Sequence, residues 1–232
     1  ATTTGGDNVV LGYNAFGANT IGNSNVAIGK DAMMTNVASD RSVAIGHSAL
    51  KVATAASTAD YYNVAVGFEA GVAITSGVQN TILGGKAGDV ITSGNNNIII
   101  GYDAAAAAED STNSVTFGDA NISAIRCQVQ SISALSDQRD KTDIKDSVYG
   151  LEYLESLRPV TFEWNNREES VHKGTKDIGF IAQELQEYDD EYTKLVLTDN
   201  PERLEASYGR LIPILVQAVQ ELSEEVKRLK NK

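Results

Sequence analysis

Ser136 and Lys141 stand five residues apart in the stretch SALSDQRDKTDI, residues 133–144. A serine hydroxyl is a weak nucleophile until a base takes its proton. A lysine amine can be that base when burial or nearby positive charge lowers its pKa. The chemistry open to the pair is acyl transfer. In an α-helix five residues turn through about 140°, so the two side chains would point apart. They can meet only in a turn, in an irregular segment or across chains. Spacing by itself favours a capping serine and a solvated lysine in a polar linker.

Other chemistry finds little support. Cys127 is the single cysteine, so there is no intrachain disulfide. His47 has no Cys or second His nearby to complete a metal set, and reads as a surface position. Gly84-Gly85-Lys86 lacks the glycine a phosphate loop needs five positions before Gly85, where Asn80 stands. No metal and no cofactor is expected. The net charge of −12 argues against nucleic acid and anionic membranes as partners. No run of eighteen apolar residues exists, so no membrane insertion is expected. Glycoside hydrolysis needs two placed carboxylates, and the first half holds only scattered ones. The chain opens ATTTGGDN, without Met or a signal-peptide pattern, and reads as a piece of something longer.

The seam between Ser136 and what precedes it divides two compositions. Of 20 glycines, 16 lie in residues 1–126; of 50 charged residues, 35 lie after them. The reading is a repetitive region over 1–126, a linker over 127–135 and a second domain over 136–232.

The first region repeats. NVVLGYNA, NVAIGKDA, SVAIGHSA, NVAVGFEA, NTILGGKA, NIIIGYDA and SVTFGDAN share glycines at 12, 29, 46, 67, 84, 101 and 118. The spacing is 17, except for one of 21. Val-x-Ile alternation predicts a strand, glycine ends it, and Asn, Ser, Thr and Gly supply the turns. Such a unit cannot bury its own apolar face and must stack on its neighbours. A single-chain β-solenoid and a trimer sharing one core both fit. Ala104–Ala108 falls within the period and is expected to be a turn, not a helix.

The second region reads as α+β: a helix over 147–157 with Ser147 as N-cap, and a strand over 160–164. A charged loop over 165–176 follows, then a strand over 177–183 running into a short helix. A hairpin over 194–199 and 203–208 and a helix from about Tyr208 to Lys230 complete it. In that helix Ile212, Leu215, Val219, Leu222, Val226 and Leu229 are spaced 3, 4, 3, 4, 3. This is a heptad seam, better served by copies of itself than by its own domain.

Two resemblances sharpen these readings. The [Asn/Ser]-Val-Ala-Ile-Gly-x-x-Ala pattern resembles the head repeats of trimeric adhesins and the shafts of phage tail fibres, which implies a trimeric β-roll or β-helix. Ser136-Asp137-x-Arg139-x-Lys141-x-Asp143-Ile144 resembles the opening of the self-cleaving C-terminal chaperone domain of phage tailspikes and tail fibres. Gly150-Leu151, Leu157-Arg158-Pro159-Val160, Phe162-x-Trp164, Gly179 to Glu184, Tyr208 and Glu221-Leu222 continue the likeness. It implies a homotrimer that guides folding and then cuts itself between Leu135 and Ser136. Ser136 would be nucleophile, Lys141 base, and Asp137 and Arg139 supports. The cut would proceed by an N→O acyl shift or by direct hydrolysis. It also implies a place in the virion tail, assembly in the host cytoplasm, and a host cell-surface glycan or protein as partner. The rival reading is a fragment of a trimeric bacterial surface adhesin with a non-cleaving foot.

Overall fold

A computed structural model describes residues 4–53, 59–128, 132–165 and 173–232. The chain divides into two compact units, 1–122 and 123–232.

In the first unit each repeat contributes one three-residue strand: β1 (Val9–Leu11), β2 (Val26–Ile28), β4 (Val43–Ile45), β6 (Val64–Val66), β7 (Thr81–Leu83), β8 (Ile98–Ile100) and β9 (Val115–Phe117). They form one parallel sheet in chain order. Equivalent positions lie opposite one another, Ala27 against Ala44, Ala44 against Ala65, Ala65 against Ile82 and Ile82 against Ile99. The unit is a β-solenoid with one repeat per coil. Two-residue strands β3 (Ser39–Asp40) and β5 (Ala59–Asp60) pair beside it, around the longer repeat, of which 54–58 lie outside the described residues.

The alternation of a strand explains what fills the coil. The middle residue of each run points inward: Ala27, Ala44, Ala65, Ile82 and Ile99 are completely buried. Met33, Leu50, Ile74 and Ile91 from the turns join them in one core. The first and third residues of each strand point outward. The glycine that follows holds φ between 126° and 142° in the first six repeats, a region side chains avoid. It also touches the next coil, for a Cβ on Gly46 would fall 2.3 Å from the carbonyl oxygen of Gly67. Both demands exclude any other residue.

Asparagine opens the strand for a different reason. Asn80 is fully buried, and its Nδ2 donates to the carbonyl of Gly94 at 2.9 Å. Its Oδ1 accepts from the backbone and side-chain nitrogens of Asn97, each at 3.0 Å. Its own backbone N–H donates to Asn63 Oδ1 at 2.9 Å. The ladder ties coil to coil and satisfies the buried amides in the process.

One chain therefore closes the core of the coil. Of the two architectures the period allows, each chain takes the single-chain solenoid, and no sharing of strands among three chains is needed to bury its interior. Ala104–Ala108 is not helical but irregular, ending in a bend at 107–108, with Ala104 and Ala106 buried.

The second unit holds α1 (Leu151–Ser156), hairpin β10 (Val160–Glu163) and β11 (Lys176–Gly179), α2 (Ala182–Gln186), hairpin β12 (Val196–Leu197) and β13 (Glu205–Ala206), and α3 (Leu211–Lys230). Leu157, Leu185, Leu195, Val196, Leu211 and Ile214 make its core. The first helix starts later than the 147–157 expectation. Ser147 Oγ accepts from the N–H of Tyr149 at 3.1 Å and keeps 147–149 out of the helix. The cap comes from α3, where Glu221 Oε2 accepts from the N–H of Leu151 at 2.7 Å. Of the charged loop, 166–172 lie outside the described residues.

A 3-10 turn over Tyr208–Arg210 leads into α3. Pro213 sits in its first turn, where its missing N–H costs nothing. The helix buries Leu211, Ile214 and Ala218. The heptad seam lies one residue further on, about 100° round the helix. All six seam residues stay between 45 and 63 % exposed. No helix among the described residues is long and apolar enough to cross a membrane.

Candidate active site

The turn that holds Ser136 and Lys141 is built by Asp137. Its Oδ1 accepts from the N–H of Arg139 at 2.8 Å and caps a single 3-10 turn, Gln138–Asp140. The N–H of Asp140 reaches the carbonyl of Asp137 at 3.2 Å, and that of Lys141 reaches Gln138 at 3.1 Å. Extended backbone at Asp137 and Lys141 flanks the turn on both sides. The reversal brings Lys141 Nζ to 2.6 Å from Ser136 Oγ and 3.3 Å from Ser136 O. A 3-10 turn thus joins, within one chain, two residues that an α-helix would splay.

Arg139 clamps the cap in place. Its Nε and Nη2 lie 3.0 and 2.6 Å from the two oxygens of Asp137, a planar fork on a carboxylate. The Arg139 guanidinium, and then its backbone N–H, hold the Asp137 carboxyl below its ordinary range. The same bond raises the Arg139 guanidinium. Leu135 is fully exposed, and Ser136 and Lys141 are exposed beside it.

Further residues of the shared motifs find partners far along the chain. A Cβ on Gly150 would fall 2.1 Å from Glu221 Oε1, so the capping carboxylate requires glycine there. Gln217 Nε2 steadies Glu221 at 2.9 Å. The Leu151 N–H and then Gln217 keep the Glu221 carboxyl below its ordinary range. A Cβ on Gly179 would lie 2.5 Å from Tyr208 Oη, which accepts from the N–H of Phe180 at 3.2 Å. Arg158 forks onto Glu184, its Nε 3.0 Å from Oε2. Asp189 accepts from the N–H groups of Leu195 at 2.7 Å and Val196 at 2.9 Å. The contacts of Arg158 with Glu184, Phe180 with Tyr208 and Leu151 with Glu221 were not legible because their members lie 26, 28 and 70 residues apart.

Residues 136–197 match the family model of the chaperone of endosialidase, a peptidase family. The match begins at Ser136 itself and supports a C-terminal intramolecular chaperone domain. The family is self-cleaving, which is consistent with autoproteolysis. The motif likeness in the sequence runs on to Glu221-Leu222, whereas the family match ends at Leu197. No curated protein and no solved structure matches the chain.

Proposed function

We propose that residues 136–232 are a trimerising chaperone of a phage tail fibre that releases itself by cutting between Leu135 and Ser136. The observation that carries the reading is the 2.6 Å contact of Lys141 Nζ with Ser136 Oγ at the first residue of the family match. Neutral Lys141 takes the hydroxyl proton, and Ser136 Oγ adds to the carbonyl carbon of Leu135. The bond from that carbon to the Ser136 nitrogen breaks, and the nitrogen gains a proton. Leu135 is then held as an ester on Ser136. Water cleaves the ester, giving a Leu135 carboxylate and a free Ser136 N-terminus.

A lysine acts as base only when unprotonated, and burial favours that form. Ser136 and Lys141 are exposed in the single chain, so their burial falls to neighbouring chains. Exposed apolar side chains support such neighbours: Ile132, Leu135, Ile144 and Val148 around the turn, and the α3 seam. In the solenoid the outward positions of the seven-stranded sheet carry no charged residue. The solenoid forms the fibre in the virion tail, and host contact falls to it.

The test is intact mass of the purified chain with and without hydroxylamine. Release of the 136–232 piece, with a hydroxamate on Leu135 in the presence of hydroxylamine, is the expected result. Unbroken full-length chain under conditions where it is trimeric would overturn the cut. Release without any hydroxamate would replace the acyl shift with direct hydrolysis.

A further inference from the structure

A groove runs between the end of α1 and α2. It is lined by Leu157 and Leu185, which are buried, and by Phe180, Ile181 and Tyr188. Ile181 and Tyr188 are 37 and 42 % exposed, so the apolar lining opens outward. The groove encloses about 250 Å3, several times the roughly 30 Å3 of a water molecule, and has room for a side chain. Its rim is largely neutralised. Arg158 forks onto Glu184, and Glu187 alone of the rim charges has no ion partner among the described residues. The groove therefore suits a neutral apolar side chain and repels a carboxylate.

The same unit carries a segment of matching character. Residues 127–136 read CQVQSISALS and hold no charge. Ile132 and Leu135 are fully exposed, and Leu135 does not enter the groove of its own chain. A single exposed apolar side chain is ordinary on a protein surface. Leu135 differs from the others by its position, for it supplies the carbonyl that Ser136 would attack.

We propose that Leu135 seats in this groove on a neighbouring copy, and that the groove sets which residue is accepted before the cut. Its role in specificity rests on the cut proposed at Ser136, which it refines. A contact from Leu135 of one copy to the α1–α2 groove of the next is heterologous, and repeated around a three-fold axis it closes on itself. Ser136 follows Leu135 directly, so a copy that takes up Leu135 also covers the Ser136–Lys141 turn. Burial there favours the neutral lysine that the cut requires. A seated Leu135 side chain also holds its own carbonyl still against the Ser136 hydroxyl, which is the gain of positioning.

The test is a cross-link in the full chain. Ser136→Ala keeps the chain whole and Cys127→Ser removes the native thiol; Leu135→Cys and Ile181→Cys then supply the pair. Under mild oxidation the double-cysteine chain should run as disulfide-linked trimers on a non-reducing gel, and either cysteine alone as monomer. No linkage, a disulfide within one chain, or linked dimers from a single cysteine would overturn the seat. The rate of the cut is a second measurement, made on chains that keep Ser136. Leu135→Ala should slow release of the 136–232 piece by about ten-fold or more. Leu135→Glu should be slower still, and adding Ile181→Lys to it should recover much of the native rate. Release of Leu135→Glu at the native rate would overturn the groove as the source of specificity and leave the cut standing. Absence of release from the wild-type chain would be a failure of the cut itself, and the cross-link would then still decide the seat.

Discussion

At the scale of residues the proposed cut rests on one short turn, and each member has its own test. Ser136→Ala removes the proposed nucleophile and Lys141→Ala the proposed base, so both should run as full-length chain on a denaturing gel. Lys141→Arg should do the same, because a guanidinium does not give up its proton. Asp137 touches neither reacting atom but caps the turn. Losing the cap loosens the turn, so Asp137→Ala should slow release of the 136–232 piece by a few-fold. Asn caps as well as Asp, so Asp137→Asn should cut near the native rate; if it is as slow as Asp137→Ala, the charge matters and capping does not. A second pair sets a pH window. The Tyr149 hydroxyl bonds Asp190 at 2.5 Å, and this bond first, with backbone N–H groups behind it, depresses the Asp190 carboxyl to about 2. A carboxyl depressed in the fold contributes stability above its unfolded pKa, lost as pH falls through the folded value. The same bond pushes the Tyr149 phenol up to about 12, so its contribution holds below the unfolded value near 10 and fades as pH climbs through 12. Tyr149→Phe should therefore flatten the fall in melting temperature between pH 4 and pH 2.

At the scale of elements the solenoid should be sensitive where its ladders are buried. Asn80→Ala would strip partners from the buried amide of Asn97 and the carbonyl of Gly94, at about 1–3 kcal/mol for each orphaned group. A clear drop in the solenoid's thermal midpoint is expected, while Thr75→Ala, which removes an exposed hydroxyl bonded to the Thr92 carbonyl, should change it little. The repeat was legible because glycine and asparagine recur at fixed positions for physical reasons that leave no substitute. Which architecture it builds was not, since alanine fills three of the seven middle positions and a small residue can signal either a thin single-chain core or a shared one. The start of α1 was misplaced because its cap comes from Glu221, on a helix far along the chain. The heptad seam was visible, but that α3 buries a different face required knowing what packs on Leu211, Ile214 and Ala218. At the candidate site the residue types were legible and their meeting was not: a spacing of five splays the pair in an α-helix and joins it in the 3-10 turn found here. For the seam itself, Leu222→Glu should lower the oligomeric state seen by light scattering and leave the second unit folded, because Leu222 lies outside the core. A folded, monomeric wild-type chain would remove the seam as an interface.

At the scale of the whole molecule the closed coil changes what a chaperone has to do. One chain buries its own solenoid core, so each coil can form without help. What three chains cannot settle by themselves is register, because the uncharged outer face repeats every coil and a slip of one repeat keeps most of it paired. A compact trimer at the C-terminus would fix that register and raise the local concentration of the shafts. Residues 1–135 expressed alone should then show the circular dichroism of folded β-structure yet associate heterogeneously, whereas the same residues released by the cut should form one homogeneous species. On the proposed cut, removing residues 136–232 from aligned shafts would take away the element that realigns them, and the fibre would be held by a barrier instead of an equilibrium. Unfolding in denaturant should accordingly be slow and irreversible for the cut trimer, and more nearly reversible for uncut Ser136→Ala. If residues 1–135 alone reach the same homogeneous species as the released fibre, register needs no template, and the second unit is a foot that happens to be removable.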